Sequence, residues 1–372
     1  MFLLNELIFL SPLLIYAYLR IRKLIVGTLS KRIFAAFFIL LCLAFPVAEI
    51  ISHNSGRGWA RSLMITGYYS LPLLLYLVLV VILTDFTIGA AHLSRLVSSE
   101  TLRAPGLRKA RLCFVLAAPV IIVCFGIANY HHLRIKEYSI EVPRRSSEIA
   151  RLKIAFAADF HLGDMTTEKF MEGFVDKVNA LDPDIVLIGG DVLEGHGRAD
   201  QMDGFIAQFR RLKSKYGVYA VPGNHEMYGS NRVDFFARAG IRLLEDEVEK
   251  IDGAFYLAGR KDSHSRERKS IDELLSGTPP DLPVILLDHR PTDLDRVSQS
   301  QVDIQLSGHT HNGQLFPVNF ITQRQYELTW GYKKKRQTHF FVTSGVQLWG
   351  PRVRTAGRSE ILIIKVVFRD QS

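Results

Sequence analysis

The sequence predicts a bundle of membrane-spanning helices followed by a layered α/β domain, and three observations favour this class. The mean hydropathy of +0.12 is unusually high for a soluble enzyme. Residues 1–130 combine long apolar runs with 12 lysines and arginines against 4 acidic residues, whereas the remaining residues contain 34 against 33. From about residue 150 onward, short apolar runs alternate with helix-like segments, which is typical of layered α/β domains.

The charge distribution argues against two broad classes of protein. The pI of 9.4 reflects the basic N-terminal third, because residues 131–372 are almost neutral. Nucleic-acid binding requires a basic face on the folded domain, so we expect no nucleic-acid partner. General disorder is excluded because hydrophobic and aromatic residues make up 48% and 10% of the chain.

Four apolar stretches have the length of a bilayer span, which is about 20 residues. They are residues 2–19, 33–51, 63–83 and 112–130. The first contains Asn5 and Glu6, so the sequence predicts three or four spans and a lipid bilayer as partner. A cleaved signal peptide is less favoured, because the basic residues follow the first apolar run. The acidic residues Glu6, Glu49 and Asp85 lie towards segment ends, which favours an anchor over a transporter.

The distribution of basic residues between the spans predicts the orientation of the chain. Segments 20–32 and 95–111 are rich in lysine and arginine, whereas the segment between the second and third spans has only Arg57 and Arg61. Basic loops are retained on the cytoplasmic side. We therefore expect a multi-pass protein of the cytoplasmic membrane, with residues 131–372 on the periplasmic or extracellular side.

The chain is divided into a transmembrane anchor domain (1–130), a first strand with its connector (131–150) and an α/β domain (151–372). Helices are predicted at 166–180 and 200–215, and the charged residues 261–269 are predicted to form a solvated loop. Strands are predicted at 133–142, 152–158, 185–188, 218–221, 255–257, 284–287, 304–306, 340–343 and 361–368.

Side chains that suit a metal ion follow five of these strands. Taken singly, each could be a hydrogen-bonded turn residue. Five such elements in order are hard to explain as independent turns, and the carboxyl ends of parallel strands meet at one edge of a sheet. We therefore expect these side chains to converge. They are Asp159 and His161, then Asp191, then Asn224 and His225, then His289, and finally His309 and His311.

These motifs resemble those of the calcineurin-like metallophosphoesterase superfamily. The matching series is Asp159-Phe160-His161, Gly190-Asp191, Gly223-Asn224-His225-Glu226, Asp288-His289 and Gly308-His309-Thr310-His311. The apolar N-terminus and the stretch Ser344–Pro351 resemble the membrane-attached branch, the transmembrane proteins with a metallophosphoesterase domain. The resemblance implies a four-layer α-β-β-α sandwich that binds two divalent metal ions.

The resemblance also implies a role for each residue. One metal would be held by Asp159, His161 and His311, the other by Asn224, His289 and His309, and both by the bridging Asp191. His225 would stabilise the phosphoryl group and protonate the leaving oxygen. Imidazole and carboxylate ligands without a thiolate suit Mn, Fe or Zn.

Several residues next to these motifs allow two interpretations. Glu226 either orients His225 or begins a helix, and Asp164 is favoured as a turn residue. The membrane-attached branch usually has glycine after the last motif histidine, where this chain has Asn312, a change in the wall of the site.

A second set of neighbours lies towards the C-terminus. The aromatic and basic segment 323–336 either holds an anionic lipid headgroup or forms an exposed loop, which is slightly favoured. Arg352 and Arg354 are further candidates to meet a phosphate.

The predicted function is a membrane-anchored binuclear phosphoesterase that hydrolyses a phosphodiester or pyrophosphate of a lipid or envelope substrate. The resembling branch includes enzymes that cleave the pyrophosphate of UDP-2,3-diacylglucosamine, so that hydrolase activity is a candidate. An outward-facing site argues against it, because a UDP-linked precursor is cytosolic. The alternatives are a catalytically inactive metal-binding receptor or scaffold for a phosphorylated ligand, and a transporter with a regulatory phosphoesterase domain.

Overall fold

The computed structural model describes residues 2–54, 58–163, 165–194, 199–228 and 232–370. Two of the residues discussed above, Arg57 and Asp164, lie outside these ranges. The chain divides into two compact units. A helical unit contains Met1–Ala128 and Gly350–Thr355, and an α/β unit contains Asn129–Trp349 and Ala356–Ser372.

In its described residues, the helical unit contains four long helices and one short one. Among the described residues, three helices are long and apolar enough to cross a membrane: 28–51, 62–93 and 105–131. This confirms the last three predicted spans, and the chain is a membrane protein. The helices are α1 (Phe2–Leu24), α2 (Thr28–Asn54), α3 (Gly58–Leu93), α4 (Ser99–Arg103) and α5 (Pro105–His131).

An ionic cluster joins three helices of this unit and corrects the predicted position of Asp85. Helix α3 continues to Leu93, so Asp85 lies within the helix and not at the end of an apolar segment. Its carboxylate accepts hydrogen bonds from Tyr16 (2.7 Å) and Arg20 (2.8 Å) on α1 and pairs with Arg111 on α5 (3.1 Å). A charge among apolar helices is stable only when paired, so the cluster fixes α1, α3 and α5 together.

The α/β unit contains two six-stranded sheets. The first consists, in spatial order, of β1 (Arg134–Pro143), β12 (Glu360–Arg369), β2 (Arg151–Ala157), β3 (Ile185–Ile188), β4 (Val218–Ala220) and β5 (Arg242–Leu243). The second consists of β10 (Gly331–Lys335), β11 (Thr338–Val342), β9 (Ile304–Ser307), β8 (Val284–Leu287), β7 (Phe255–Gly259) and β6 (Glu247–Ile251). Strands β2, β3 and β4 are parallel neighbours, as are β7, β8 and β9.

The two sheets pack face to face, with helices on both outer sides. Side chains alternate between the two faces of a strand. In β2, Ile154 and Phe156 therefore join the core between the sheets, whereas Ala155 and Ala157 face the outer helices of the first sheet. The outer helices are α6 (Glu168–Ala180), α7 (Ala199–Phe209) and α8 (Arg232–Arg238) on the first sheet and α9 (Ile271–Leu274) and α10 (Leu294–Val297) on the second. This is the predicted four-layer sandwich.

Helix α6 shows how the sequence specifies one of these layers. The Thr167 hydroxyl caps the helix by accepting from the Phe170 N–H. The buried residues Met171, Phe174 and Val178 recur at helical spacing and pack on the first sheet. The helix ends before the Asp182-Pro183 pair, close to the predicted boundary at residue 180.

The nine predicted strands are all present, with ends displaced by at most two residues, but β5, β6 and β10 were not predicted. All three are edge strands. Edge strands carry charged side chains because one of their sides is unpaired, and β10 reads Gly-Tyr-Lys-Lys-Lys. The second predicted helix, 200–215, ends earlier, at Phe209.

The segment 323–336 is therefore not simply an exposed loop. It contains the end of α11 (Asn319–Gln325) and all of β10. Lys333 and Lys335 of its basic run pair with Glu327 at 2.8 and 2.9 Å. Arg354 is fully buried and belongs to the helical unit, where its backbone N–H donates to the Gly126 carbonyl.

Candidate metal centre

The candidate ligands lie where the strand pattern placed them. Asp159 and His161 follow β2, Asp191 follows β3, and Asn224 and His225 follow β4 in the first sheet. His289 follows β8, and His309 and His311 follow β9 in the second sheet. Both sheets thus contribute side chains to one site.

Their donor atoms form three overlapping groups, in each of which all donor atoms lie within 4.8 Å of one another. The first group contains Asp159, His161 and His311, and the second contains Asp191, His289 and His309. A third, formed by His161, Asp191 and His225, connects them. Asp191 therefore belongs to the second group and also lies near His161 of the first, as expected of a bridging carboxylate.

The interatomic distances fit a cation better than hydrogen bonds alone. Nε2 of His161 lies 3.1 Å from Nε2 of His311, so two ring nitrogens face each other. Nε2 of His289 lies 3.1 Å from Oδ2 of Asp191 but without hydrogen-bond geometry. Nε2 of His311 lies 3.8 Å from Oδ1 of Asp159. Electron-pair donors that point at one another at such distances have the chemistry of imidazole–carboxylate metal ligands.

The backbone at this site is strained. The left-handed region is uncommon for residues other than glycine and costs about 1–3 kcal/mol per residue. Such strain is concentrated at functional sites, where the surrounding structure maintains it. The candidate ligands with positive φ are Asp159 (60°), His161 (44°), Asp191 (51°), His309 (69°) and His311 (48°).

Glycines allow the loops after β3 and β4 to approach each other. A Cβ atom on Gly223 would lie 2.1 Å from Oδ1 of Asp191. A Cβ on Gly190, which has a φ of +89°, would lie 2.7 Å from Nδ1 of His289. Each glycine of these motifs thus makes room for a neighbouring candidate ligand.

Glu194 is a functional residue that the sequence reasoning missed. Its Oε2 lies 2.5 Å from Nδ1 of His161, and its Oε1 lies 3.4 Å from Nδ1 of His225. A carboxylate that accepts from one ring nitrogen leaves the other nitrogen available to a metal. The available signal was an acidic residue three positions after Asp191.

Glu226 lies in the first turn of a short 3-10 helix, His225–Tyr228, as one of the two interpretations expected, and its carboxylate has a further role. It is buried, and its carboxylate accepts hydrogen bonds from the backbone N–H groups of Asp191 (2.9 Å), Leu193 (2.8 Å) and Gly223 (2.7 Å). Burial and the nearby charge of Asp191 raise its pKa to about 7. Glu226 therefore fixes the loops that position Asp191.

The pKa values of the site residues indicate that its buried carboxylates need positive charge nearby. Burial disfavours charge on His161, but the carboxylates of Glu194, Asp191 and Asp159 outweigh it and raise the pKa to about 9. Burial likewise opposes charge on His289, and Asp191 raises its pKa to about 10. Burial raises the pKa of Asp159 to about 6. Metal ions would supply the positive charge that protons otherwise provide here.

His225 differs from the other histidines in position. Its side chain is 22% exposed, whereas that of His161 is 1% exposed. Its backbone N–H donates to Oδ1 of Asp191 (2.9 Å), and its ring packs edge-on against that of His161 at 4.7 Å. Burial lowers the pKa of His225. His225 therefore lies on the solvent side of the donor groups.

Residues 261–269 form the predicted loop, and Arg266 and Glu267 are exposed, but two of its charged side chains, Asp262 and Arg268, are not solvated. Arg268 donates to the buried Asp288 at 2.6 Å. Asp262 is also buried, and Arg290, the residue after His289, donates to it at 3.2 Å. The loop packs against the site because buried carboxylates of the fold need these cationic partners.

Asn224 and Asn312 complete the description of the site. Asn224 is partly exposed, and its Oδ1 accepts from Nη2 of Arg290 at 3.3 Å. Asn312 is buried with a φ of 48°, a conformation that asparagine adopts more readily than most residues. An asparagine therefore preserves the backbone where the branch usually has glycine.

Comparisons with known proteins agree with this geometry. The family model described as calcineurin-like phosphoesterase matches residues 152–313. An uncharacterized metallophosphoesterase of Aquifex aeolicus is 32% identical over 258 residues, which cover 66% of this chain and 97% of that protein. The transmembrane protein with metallophosphoesterase domain of Bos taurus is 32% identical over 246 residues, 60% of this chain and 55% of that protein.

An uncharacterized metallophosphoesterase of Helicobacter pylori is 32% identical over 247 residues. The match covers 64% of this chain, and this chain spans 65% of the length of that relative. The region matched by the family model, residues 152–313, contains all members of the first and second groups. The chain belongs to the calcineurin-like metallophosphoesterase family.

Proposed function

We propose that this protein is a membrane-anchored, binuclear metal-dependent phosphoesterase that hydrolyses a phosphodiester or pyrophosphate of a lipid. The observation that carries the proposal is the convergence of side chains from both sheets into three overlapping groups of metal-type donors. Family membership supports the same reaction class.

The residues present fit two divalent ions. We assign Asp159, His161 and His311 to one ion, Asn224, His289 and His309 to the other, and Asp191 to both. Mn, Fe and Zn suit this set of nitrogen and oxygen ligands. Two such ions would supply a nucleophile at neutral pH and neutralise charge on the phosphoryl oxygens.

The remaining residues position groups and transfer the proton. Glu194 accepts from Nδ1 of His161 and so directs the other ring nitrogen to the metal. His225 protonates the leaving oxygen, a role that its partial exposure and its place beside Asp191 support.

An exposed apolar segment next to the last metal motif supports a lipid substrate. Phe316, Phe320 and Ile321 are 51%, 54% and 60% exposed, and the two phenylalanine rings contact each other at 5.6 Å. They begin five residues after His311, and the sequence from 304 to 326 has no acidic residue. In sequence, only His132 and Leu133 separate the membrane-capable helix α5 from β1.

The reaction is tested with the full-length protein, Mn²⁺ and bis-p-nitrophenyl phosphate. We expect hydrolysis by the wild type and its loss in Asp159→Asn. Metal binding without turnover by the wild type would instead support the receptor or scaffold alternative.

The lipid specificity is tested with Phe320→Ser and phospholipid vesicles. Burial of a phenylalanine side chain is worth about 1.5–3 kcal/mol, so KM for a lipid substrate should rise about tenfold. KM for bis-p-nitrophenyl phosphate should not change. Ile135→Ser, at another exposed apolar position, is the matched control, and an equal effect on both substrates would contradict the lipid assignment.

The outward orientation remains part of the proposal, supported by the basic segments between the helices. C-terminal fusions to alkaline phosphatase and to GFP test it. An active phosphatase with a dark GFP would support envelope lipids as substrates. A bright GFP with an inactive phosphatase would contradict the orientation and make UDP-2,3-diacylglucosamine the first substrate to assay.

A further inference from the structure

Two nitrogen-bearing side chains, Arg290 and His264, lie at the edge of the metal centre and have no role in the assignments above. Arg290 reaches in two directions: Nε donates to Oδ2 of the buried Asp262 at 3.2 Å, and Nη2 lies 2.9 Å from Nδ1 of His264. The same Nη2 donates to Oδ1 of Asn224 at 3.3 Å. Arg290 therefore connects the loop 261–269 to a candidate metal ligand.

The side chains of Asp262, Arg290 and His264 differ in their exposure to solvent. The side chain of Asp262 is fully buried, that of Arg290 is 17% exposed, and that of His264 is 54% exposed. The carboxylate thus anchors the pair from below, while the nitrogen-bearing groups face outward. An arginine held in one orientation loses less side-chain entropy when it binds an anion.

A purely structural role does not explain the position of Arg290. Neutralising Asp262 requires no contact with Asn224. A guanidinium beside a candidate ligand also weakens binding of a divalent cation by repulsion. An anion that arrives with the substrate would offset this repulsion, because planar guanidinium groups match phosphate oxygens in geometry and charge.

We propose that Arg290 and His264 form a subsite for a second phosphate, the one that is not attacked at the metals. The inference rests on the proposed function and narrows it from diester or pyrophosphate to a substrate with two adjacent phosphates. Tyr326, whose ring lies 5.9 Å from that of His309, borders the subsite on the side of α11.

Calorimetry on the full-length, Mn²⁺-loaded protein tests this subsite without turnover. The probes are inorganic phosphate and methylenediphosphonate, which carries two phosphonate groups and is not hydrolysed at its P–C bonds. The variants are His264→Ala and Arg290→Gln, with His132→Ala, another exposed histidine, as control. The bound Mn²⁺ is counted for every variant to detect a disturbed centre.

The proposal expects both site variants to weaken methylenediphosphonate binding about tenfold, the worth of a hydrogen bond to a charged group. Phosphate binding and the count of Mn²⁺ should not change, and His132→Ala should match the wild type. Equal weakening for both probes would place Arg290 at the attacked phosphate and overturn the subsite. No weakening for either would leave the pair as a loop anchor. Failure of the wild type to bind phosphate would refute the proposed function itself.

Discussion

The first and second groups of the metal centre differ in what surrounds them. In the first group all three side chains are buried, and the carboxylate of Glu194 lies 2.5 Å from the ring of His161. In the second group His309 is partly exposed. The cationic Arg290 lies next to Asn224, the further ligand proposed for this half.

This difference predicts that the two metal ions bind with different affinities. A carboxylate that accepts from a ligating histidine strengthens its binding to a metal, whereas a nearby guanidinium repels a cation. We therefore expect the ion of the first group to bind more tightly than the ion of the second. The weaker half is the one that carries the proposed phosphate subsite, so substrate binding would complete its charge balance.

The largest effect is expected from Asp191→Asn, because we propose Asp191 as the ligand that both ions share. Its Oδ2 lies 3.1 Å from His289 and 3.9 Å from His161. An amide removes the negative charge that both ions share, so both affinities should fall by more than the roughly 10–100-fold typical of losing an outer partner. Metal content by mass spectrometry and hydrolysis of bis-p-nitrophenyl phosphate measure the loss.

The control for that variant is Asp176→Asn. Asp176 is an exposed residue of α6 that pairs with Arg211 on the surface, and its substitution should leave metal content and hydrolysis unchanged. If Asp191→Asn lost only one ion and kept the other at wild-type affinity, the shared position of Asp191 would be refuted.

The positions of the candidate ligands followed from the sequence because strand ends are a strong constraint. Apolar runs mark β2, β3, β4, β8 and β9, and parallel neighbours end at one edge. Each metal-type residue follows such a run directly, so its place needed no knowledge of loop conformation. Their individual roles came only from the resemblance to a family, and those assignments stay predictions.

Other features depend on contacts between residues that are distant in sequence. Glu194 and Glu226 lie in loops without periodicity, and their partners are set by the tertiary fold. The loop 261–269 is rich in charged residues, and only its contact with the buried Asp288 reveals why Arg268 packs inward. The left-handed backbone at Asp159 and His161 also has no sequence signal, because the surrounding structure imposes it against local preference.

Glu194→Gln tests the difference between the two ions, because Glu194 contacts a candidate ligand of the first group, His161. The amide oxygen can still accept from His161, but the negative charge is lost. Affinity for the first ion should fall about 10–100-fold, with a smaller change for the second. Titration of the metal-free protein with Mn²⁺ against a fluorescent chelator separates the two. Glu172→Gln, at an exposed position of α6, is the control, and an unchanged first affinity would show that Glu194 does not support the first half.

The smallest effect is expected in the pH dependence of the two affinities. A ligand must lose its proton before it binds a metal. At pH 7 the first ion displaces a proton from His161 (pKa about 9), and the second ion displaces a proton from His289 (pKa about 10). His309 displaces none, because burial and the charges of His289 and Arg290 lower its pKa to about 3.

Below pH 6 the affinities of the two ions should differ in their dependence on pH. Burial raises the pKa of Asp159 to about 6, so the first ion must then displace a second proton, and its affinity should fall more steeply with decreasing pH than that of the second ion. Calorimetry in two buffers of different ionisation enthalpy counts the protons released at pH 7 and pH 5.5. Equal release by both ions at pH 5.5 would contradict the divergence. In Glu194→Gln, release by the first ion at pH 7 should decrease, because the carboxylate that raises the pKa of His161 is gone, while release by the second ion stays the same.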